Sequence, residues 1–373
     1  MKEVFNVEGI KLVAEHLAQH AHSFEHDKFL SIATDDIDNR ELKDRANQIC
    51  VALKATLSKD YLTALDVMMS SLQPVVDNAD LQMVTTDQSG VAGWMILPYS
   101  QFVGELGGQH LNESLLAMKV MTQLFSSEFG IRYLLLSHQS ETLNILSQWL
   151  NDPCRHVRRL ISEGTRPLLP WAMQLPELKS SPDLVLPLLT HLRDDESEYV
   201  RRSVANHLND ISKNHPEWVA NVVAEWYQTS DQNRLRLLKH ASRTLIKQGH
   251  RSVLAVFGFH DVSALSVVLK LDKARLNLGE SVMLQLSLEN QSEVKHNLMI
   301  DYVVYHQKAN GKLTPKVFKW KSIGLEPGQK TKLEKRHTIK PITTRKYYAG
   351  EHKVAIQING QQFDAESFQL IIP

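Results

Sequence analysis

The sequence predicts a mainly helical protein, in which a HEAT-like helical-repeat solenoid is followed by an all-β immunoglobulin-like sandwich. Two observations indicate this fold class. Up to about residue 259, apolar residues recur at helical spacing and a segment repeats after 43 residues; from about residue 261, apolar and polar residues alternate in short runs. We therefore predict two domains, a helical-repeat domain over residues 1–259 and a β-sandwich over residues 260–373.

The internal repeat indicates the helical array. WLNDPCRHVRRLISEG, residues 149–164, aligns without a gap with LRDDESEYVRRSVANH, residues 192–207, and a looser third copy, LLKHASRTLIKQGH, follows. Helical repeats of about 40 residues are typical of HEAT-type arrays, because each helix pair buries its apolar face against its neighbours. In the second copy the predicted buried stripe consists of Val200, Val204, Leu208 and Ile211.

The C-terminal part has the spacing of strands. LSVVLKLDKARLNLGESVMLQLSLENQS alternates apolar and polar residues, with Leu284, Leu286 and Leu288 on one face. Further alternating runs are separated by turn residues, Asn-Gly at 310 and 359 and Glu-Pro-Gly at 326. Several short strands in about 110 residues are typical of an immunoglobulin-like sandwich.

The composition is that of a folded chain, with 43% hydrophobic and 23% charged residues. No stretch reaches the roughly 18 uncharged apolar residues of a membrane span, and the N-terminus has no apolar leader. We therefore expect a cytoplasmic protein with no membrane partner. Cys50 and Cys154 lack CxxC spacing and the histidines are scattered singly, so we expect no disulfide, no metal and no cofactor.

The net charge of zero hides a gradient along the chain. Residues 1–150 carry 10 Lys and Arg against 19 Asp and Glu, residues 151–260 carry 15 against 12, and residues 261–373 carry 17 against 11. The balance runs from −9 through +3 to +6. This asymmetry fits a polyanion held by the second and third segments, while a neutral total is not the basic footprint of a dedicated nucleic-acid binder.

Arginines and polar or acidic residues share the exposed faces of the repeat helices. In the second copy, Arg202, Asn206 and Asp210 follow one another at i, i+4 spacing on the face opposite the buried stripe. In the first copy, Arg159 and Glu163 occupy the positions that match Arg202 and Asn206. The same polar lattice is thus used twice.

A third carboxylate extends this lattice. Glu128 and Arg132 have the same i, i+4 spacing one repeat earlier. Taken singly, such a pair is typically a solvated surface pair. Stacking of adjacent repeats, however, would bring Glu128, Glu163 and Asp210 onto one surface among arginines. Because carboxylates oppose the binding of a polyanion, such a cluster needs another use.

These residues lie in motifs that resemble a known family. The motifs are SSEFGIRYLL, HVRRLISEGTRPLLPW, SEYVRRSVANHLNDISKNHPE, LLKHASRTLIKQGH, FEHDKFLSIA, ELKDRANQI and GWMILPYSQFV. They resemble the AlkC branch of the AlkC/AlkD superfamily, HEAT-like-repeat DNA glycosylases that remove positively charged N-alkylated bases. The resemblance covers residues 5–259, and the C-terminal segment is similar to the immunoglobulin-like domain of one AlkC subgroup. Gly130 and Tyr133 depart from the family pattern, but neither is a catalytic position.

The resemblance implies a partner and a set of site residues. It implies that the helical domain clasps duplex DNA with alkylated bases, needs no metal, and depends on acidic residues acting together with an aromatic one. Carried over by position, the acid of SEF is Glu128, the acid of SEGTRP is Glu163, the aromatic that ends that motif is Trp171, and the acid of NHLND is Asp210. For Trp171 the alternative is a core tryptophan after a proline turn.

The implied chemistry gives these residue types a reason. An N3-alkylated base is cationic and leaves easily, so the remaining barrier is the oxocarbenium character that develops on deoxyribose. Carboxylates near the sugar stabilise that charge and position water, and an indole face can contact the cation. We expect hydrolysis of the N-glycosidic bond of N3-methyladenine, with N3-methylcytosine as a further candidate. We also expect a monomer with a broad surface and no deep base-flipping pocket.

The expected DNA contacts are basic and polar residues of both domains. Arginines would neutralise phosphates. For the sandwich lysines the alternative is protection of a sheet edge against aggregation. The expected DNA-binding residues are Arg158, Arg159, Arg166, Arg201, Arg202, Asn206, Arg243, Lys316 and Lys319.

Two other functions compete with this interpretation. The first is a non-catalytic HEAT-repeat scaffold that binds damaged DNA or a protein, which the fold alone favours. The acidic set argues against it, since a pure DNA-binding groove gains nothing from three carboxylates. The second is a nuclease, which would need metal-ligand clusters that the scattered histidines do not supply.

Overall fold

The computed structural model describes residues 2–343 and 345–372. As predicted, helices make up the chain before residue 260 and strands make up the rest. The helices are α1 (Val7–His20), α2 (His26–Ala33), α3 (Leu42–Thr56), α4 (Tyr61–Ser70), α5 (Ile96–Leu106), α6 (Leu111–Met121), α7 (Ile131–Ser137), α8 (Gln139–Gln148), α9 (Arg155–Gly164), α10 (Pro176–Ser180), α11 (Leu186–Leu192), α12 (Glu198–Ile211), α13 (Pro216–Tyr227), α14 (Gln232–Ala241), α15 (Arg243–Gln248) and α16 (Arg251–Val256). The strands are β1 (Leu265–Leu271), β2 (Arg275–Asn277), β3 (Ser281–Asn290), β4 (His296–Gln307), β5 (Leu313–Leu325), β6 (Lys330–Thr338), β7 (Gly350–Ile358) and β8 (Gln361–Ile371).

The chain packs as two compact units. The helical unit comprises the chain up to Val219 together with Ser230–Ala241, and the sandwich unit comprises Ala220–Thr229 and the chain from Ser242 onward. Helices α15 and α16 thus group with the strands. The domain boundary between residues 259 and 260 follows the change of sequence pattern, and it stays a prediction.

The repeat helices form because their apolar residues line one face. In α9, Val157, Leu160 and Ile161 are fully buried, while the next positions around the helix are arginines. In α12, the predicted stripe of Val200, Val204, Leu208 and Ile211 is buried. Helix α12 packs against both α9 and α14. Burial of each such aliphatic side chain contributes about 1.5–3 kcal/mol, so the stripe fixes how neighbouring repeats stack.

The sandwich has two sheets with strand orders β1-β3-β6 and β2-β8-β7-β4-β5. Strand β3 pairs antiparallel with β1 and β6, and its residues alternate between buried and more exposed positions. Leu284, Leu286 and Leu288 are buried, as the alternation predicts, in one core with Ile300 and Ile356. This core follows from the two-residue period of a strand, which places every second side chain on the inner face.

None of the helices described is both long enough and apolar enough to cross a membrane. Over residues 2–343 and 345–372, no group of three or more His, Cys, Asp or Glu side chains is arranged to hold a metal ion.

Candidate active site

An open cavity of about 930 Å³ lies in the helical unit. Its walls come from α3, the segment 81–85, the start of α5, the segment 125–133, the end of α9 and the loop that follows α9. Segments of the first 100 residues, outside the motifs that carry Glu128, Glu163, Trp171 and Asp210, complete the wall. The cavity is open, and the expectation that the site has no deep base-flipping pocket stays a prediction. The lining includes Leu42, Lys43, Leu81, Val84, Trp94, Phe125, Glu128, Tyr133, Arg159, Glu163, Arg166, Trp171 and Tyr199.

The polar end of the cavity is a chain of alternating charges, here called the ionic chain. Arg159 Nη1 lies 2.7 Å from Glu128 Oε2, and Arg159 Nη2 lies 3.5 Å from Glu163 Oε1. Arg166 Nη1 lies 2.6 Å from the same Glu163 oxygen, and Arg166 Nη2 lies 2.8 Å from Asp210 Oδ2. The fold therefore brings together the three carboxylates that the sequence singled out, and two arginines separate them.

Glu163 lies at the centre of the ionic chain and is 5% exposed. Ser203 Oγ donates to its Oε2 at 2.5 Å and also contacts Ser162 Oγ at 3.0 Å. Burial raises the pKa of Glu163, but the charges of Arg159 and Arg166 and the Ser203 hydroxyl outweigh burial, so the pKa lies below its usual value. Glu163 therefore presents a fixed, ionised carboxylate at neutral pH.

Glu128 precedes α7 and is the more accessible carboxylate of the cavity wall. Its side chain is 14% exposed, against 6% for Glu163. Ser126 Oγ donates to Glu128 Oε2 at 2.6 Å, and Arg159 donates to the same oxygen. Arg159 also lies over the Tyr199 ring, 4.8 Å from its centroid. These contacts hold the carboxylate in one orientation at the cavity surface.

Asp210 is behind the cavity wall and not part of it. It is 2% exposed, and Arg166 and Lys213 hold its two oxygens, the latter at 2.9 Å. We expected Asp210 to share an exposed face with Arg202 and Asn206, and this is wrong. Arg202 is exposed on α12, whereas Asp210 is covered because Arg166 reaches across from the loop after α9.

The loop after α9 is fastened by a buried arginine. We expected Arg132 to pair with Glu128 at i, i+4 on one helix, but Glu128 lies before α7 begins. Arg132 is 0% exposed and donates instead to the backbone carbonyl oxygens of Gly164, Arg166 and Met173, at 3.0, 2.8 and 2.8 Å. Its planar guanidinium thus ties both ends of the loop to α7.

Trp171 lies at the tip of this loop and is 62% exposed, so it is not the core residue of the alternative interpretation. Its φ is +66°, a left-handed conformation that bulky residues rarely adopt. Lys43 Nζ, from α3, donates to the Trp171 carbonyl oxygen at 2.8 Å. Gly164 is needed for a different reason, because a Cβ there would lie 2.7 Å from Ile131 Cγ2. The loop therefore presents an indole at the cavity rim by means of a strained backbone.

Arg158, Arg201 and Arg202 lie outside the cavity lining. Arg158 is 7% exposed, pairs with Asp195 at 2.6 Å and Glu196 at 3.2 Å, and donates to carbonyl oxygens of the preceding turn. Arg201 donates to the carbonyl oxygen of Asp195 at 2.5 Å. Arg202 is exposed and forms an ion pair with Glu198 of the same helix, with Nη2 and Oε1 2.6 Å apart. The donors of Arg158 are used within the fold, and its role as a DNA contact stays a prediction.

The remaining expected DNA contacts fall in two places. Asn206 is half-buried on α12, and its side-chain oxygen contacts His240 Nε2 at 2.9 Å. In the sandwich unit, Arg243 and Lys316 line a second cavity of about 880 Å³, together with other basic residues and with no Asp or Glu among its described lining residues. Lys319 is exposed on β5. The structure thus places these residues in separate groups, each with basic or amide donors.

The sequence predicts neither the roles of Ser203 and Lys43 nor the contact of Arg132 with the loop. These residues hold Glu163 or the Trp171 loop, and each is separated by 32 or more residues from the group it holds. Ser203 carries one available signal, since it follows the Arg-Arg pair that both repeat copies share. For Lys43, no pattern in the sequence indicates the contact, because it depends on the packing of α3 beside the loop.

Comparison with known proteins gives results for both units. A family model described as DNA alkylation repair enzyme matches residues 125–245, and one described as the C-terminal Ig-like domain of the uncharacterised protein YhaZ matches residues 266–372. The uncharacterized protein YhaZ of Bacillus subtilis is 34% identical over 372 residues, 99% of each chain. A solved structure, the Pseudomonas fluorescens alkylpurine DNA glycosylase AlkC bound to DNA containing an abasic site analog, is similar with a TM-score of 0.85 and 32% identity over 99% of both chains.

Proposed function

The chain belongs to the AlkC-like family of DNA alkylation repair glycosylases, and from this premise we propose that it hydrolyses the N-glycosidic bond of cationic N3-alkylated bases in duplex DNA. N3-methyladenine is the proposed principal substrate and N3-methylcytosine a second one. The observation that carries the proposal is the ionic chain, which places Glu128 and Glu163 in the wall of a cavity beside an exposed tryptophan.

The proposed mechanism uses charge that is fixed before substrate binds. As the C1′–N bond of the damaged nucleotide breaks, its electron pair neutralises the base, and positive charge develops on the sugar. Glu163, held ionised by Arg159 and Arg166, stabilises that charge without having to reorient. Glu128, more accessible at the surface, accepts a proton from the attacking water as the water oxygen bonds to C1′.

Trp171 and Asp210 have different roles in this proposal. The Trp171 indole contacts the cationic sugar or base from the cavity rim, an interaction of about 0.5–2 kcal/mol. Asp210 has no access to the cavity and acts as a positioning residue, because it orients the Arg166 guanidinium that in turn holds Glu163. All four residues that the family motifs indicate thus have a part, but only three contact substrate.

The partner in this proposal is duplex DNA bound by a single chain. Arg159 and Arg166 are paired with carboxylates of the ionic chain. We therefore expect phosphates to be bound by exposed or partly exposed donors such as Arg202, Lys319 and Lys316. Such contacts predict binding that weakens as salt increases. The competing proposal, a damage-binding scaffold without activity, predicts the same salt dependence. Only a measurement of base release distinguishes the two proposals.

The decisive measurement is single-turnover base release from a duplex that carries one N3-methyladenine. We expect release by the wild type above spontaneous depurination, and a loss on the order of 100-fold or more in Glu128→Gln, with DNA affinity retained. Asp210→Asn removes one of the two buried carboxylates that pair with Arg166 and should lose both activity and stability, the latter by up to about 3–5 kcal/mol.

A matched control is Glu198→Gln, on the same helix as Asp210. Glu198 is exposed, forms an ion pair with Arg202 at 2.6 Å and does not line the cavity. It should release base at the wild-type rate. Wild-type binding without release would leave the scaffold function and remove the catalytic roles proposed here.

A further inference from the structure

Two amide side chains line the cavity on the side of α3 and α5. Asn47, on α3, is exposed, and Gln101, on α5, is half-buried. Gln101 Nε2 donates to Asn47 Oδ1 at 3.0 Å. We call these two residues the amide pair. The proposed mechanism uses neither of them, although both share the cavity with Glu128 and Glu163.

A carboxylate fixes the orientation of both amides. Lys54 Nζ pairs with Glu105 Oε2, and Gln101 Nε2 donates to Glu105 Oε1 at 2.8 Å. Because a carboxylate only accepts hydrogen bonds, Gln101 must direct its NH2 group toward Glu105. The same NH2 group donates to Asn47, so Asn47 must present Oδ1 to Gln101 and its own NH2 group elsewhere. The charged residues behind the amide pair thus decide which atoms it offers to a ligand.

One acceptor and one donor of the amide pair are left for a ligand. Among the residues described, Gln101 Oε1 and Asn47 Nδ2 make no hydrogen bond, whereas Gln101 Nε2 makes two. The pair therefore matches an edge that carries a donor beside an acceptor. A nucleobase has such an edge, for example adenine N6–H beside N7. A phosphate offers only acceptors and would leave Gln101 Oε1 without a partner, so the favoured ligand is a base and not the DNA backbone.

The amide pair is carried by an element that touches the segment of Glu128. A Cβ at Gly130 would lie 2.2 Å from the Ser100 carbonyl oxygen, and one at Gly104 would lie 2.3 Å from the Gly130 carbonyl oxygen. The backbones of α5 and of this segment are thus in direct contact. Gln101 follows Ser100, and Glu128 is two residues before Gly130. The base contact and the proposed catalytic carboxylate therefore belong to neighbouring parts of one wall.

We infer that the amide pair binds the edge of a nucleobase at the lesion, with Gln101 Oε1 accepting one hydrogen bond and Asn47 Nδ2 donating another. The inference rests on the proposed function and adds a contact that reads a base. Two bases can supply the edge. N3-methylation leaves N6 and N7 of the damaged adenine unchanged, and the thymine opposite carries N3–H beside O4. The adenine edge lies in a groove of the duplex, so this contact needs no flipped base.

The test measures single-turnover base release at saturating protein from two duplexes. N3-methyladenine lies opposite thymine in one and opposite an abasic spacer in the other, and spontaneous depurination is subtracted. For Asn47→Ala we expect release opposite thymine to fall by about 5- to 100-fold, the range for a base contact of two hydrogen bonds. A loss that persists opposite the spacer identifies the damaged base as the ligand. A loss confined to the thymine duplex identifies the base opposite.

Glu105→Gln tests the fixed orientation of the amide pair. Glu105 does not line the cavity, and a glutamine in its place can donate as well as accept, so the Gln101 amide is no longer held one way round. We expect release opposite thymine to be slower than in the wild type and faster than in Asn47→Ala. A wild-type rate in Glu105→Gln would overturn the part that the carboxylate has in this inference.

Asn112→Ala is the matched control, because Asn112 is an exposed asparagine of α6 that does not line the cavity. It should release base from both duplexes as the wild type does. Release by the wild type with an unchanged rate in Asn47→Ala would overturn the inference and leave the proposed function intact. Absence of release by the wild type would be a failure of the proposed function and would overturn the inference with it.

Discussion

At the scale of single residues, Trp171 shows how the site departs from what the sequence pattern favours. A tryptophan at φ +66° costs free energy, since the left-handed region crowds the Cβ atom against the following carbonyl. Its indole is largely exposed, so burial does not repay this cost. A residue that is both strained and exposed suggests a functional reason for the side chain.

Substitution of Trp171 separates strain from function. Trp171→Gly removes the Cβ and fits the left-handed backbone, whereas Trp171→Ala keeps the Cβ and the strain. We expect Trp171→Gly to be more stable than Trp171→Ala, by up to about 1 kcal/mol after the entropy of the glycine chain is counted, and both variants to lose base release. Urea unfolding and single-turnover release on the same samples check this.

An active Trp171→Gly would contradict the role given to the indole. Equal stability of the two variants would mean that the backbone carries no strain at this position. Trp218→Ala serves as the control for loss of a tryptophan: it lies on α13, hydrogen-bonds Asp183 at 2.9 Å and is absent from the cavity lining, so base release should not change.

The motifs predict Glu128, Glu163 and Asp210 as site residues, and the fold brings all three into one ionic chain. Their catalytic roles stay predictions. Their division of roles could not be predicted, because periodicity places Asp210 on the polar face of α12. Whether a polar face meets solvent or an arginine from another loop depends on packing between repeats, which a single helix does not encode.

At the scale of elements, the loop between α9 and α10 is held by side chains from distant helices. Arg132, in α7, donates to three carbonyl oxygens of the segment 164–173, and Lys43, in α3, donates to a fourth. Burial and the nearby Arg166 charge lower the pKa of Arg132 to about 10, so it remains protonated at neutral pH. The loop is therefore fixed before DNA arrives.

Loss of the hydrogen bonds from Arg132 should make the loop between α9 and α10 more mobile without unfolding the helical unit. Arg132→Lys keeps the charge but cannot reach three carbonyl groups at once, because an ammonium lacks the planar fork of a guanidinium. We expect amide hydrogen exchange over residues 165–173 to become at least about tenfold faster. Base release should fall by a similar factor, since a misplaced catalytic group costs up to about 100-fold.

Lys43→Ala tests the same idea with less risk to folding, because Lys43 is exposed. It should accelerate exchange near Trp171 alone. Lys28→Ala is its control. It removes an exposed lysine of α2 that forms an ion pair with Glu25 at 2.7 Å, and it should change neither hydrogen exchange near Trp171 nor base release. Unchanged exchange over 165–173 in Arg132→Lys would show that the loop is held by other contacts.

At the scale of the whole molecule, the sequence predicts the secondary-structure class of each domain better than it predicts the boundary between the two compact units. The change from helical to alternating spacing locates the first strand within a few residues, since β1 begins at Leu265. Packing nevertheless assigns α15 and α16 to the sandwich unit. A helix carries the same period whichever neighbour it packs against, so the pattern alone does not reveal its unit.

The sandwich unit contains a group of buried histidines that gives the protein a dependence on pH. His306 is 5% exposed, and neither of its ring nitrogens has a hydrogen-bond partner among the described residues. Burial, with the charges of Arg345, His352, His337 and Lys316 adding to it, lowers the pKa of His306 to about 3. His337 behaves similarly, with a pKa of about 4. These side chains are therefore neutral in the fold.

This pattern sets the sign of the effect of acid on stability. A histidine that is neutral in the folded state and has a pKa near 6.5 in the unfolded state binds a proton only on unfolding. Its contribution is fully present above pH 6.5 and is lost as the pH falls from there toward about 3. The free energy of unfolding should therefore fall by about 1.4 kcal/mol per pH unit for each such histidine.

His306→Phe removes one of these protons while keeping a ring of similar size between Tyr347 and His352, whose ring centroids lie 5.5 and 5.6 Å away. We expect stability at pH 7.5 to be equal or higher, because no hydrogen bond is lost, and the advantage over wild type to grow as the pH is lowered to 5. Urea unfolding at each pH, monitored by amide hydrogen exchange in β4 and β7, measures the free energy of unfolding of both proteins. The exposed His260→Phe should show no such growth. A pH-independent difference for His306→Phe would mean that the pKa of His306 is the same in the folded and unfolded states.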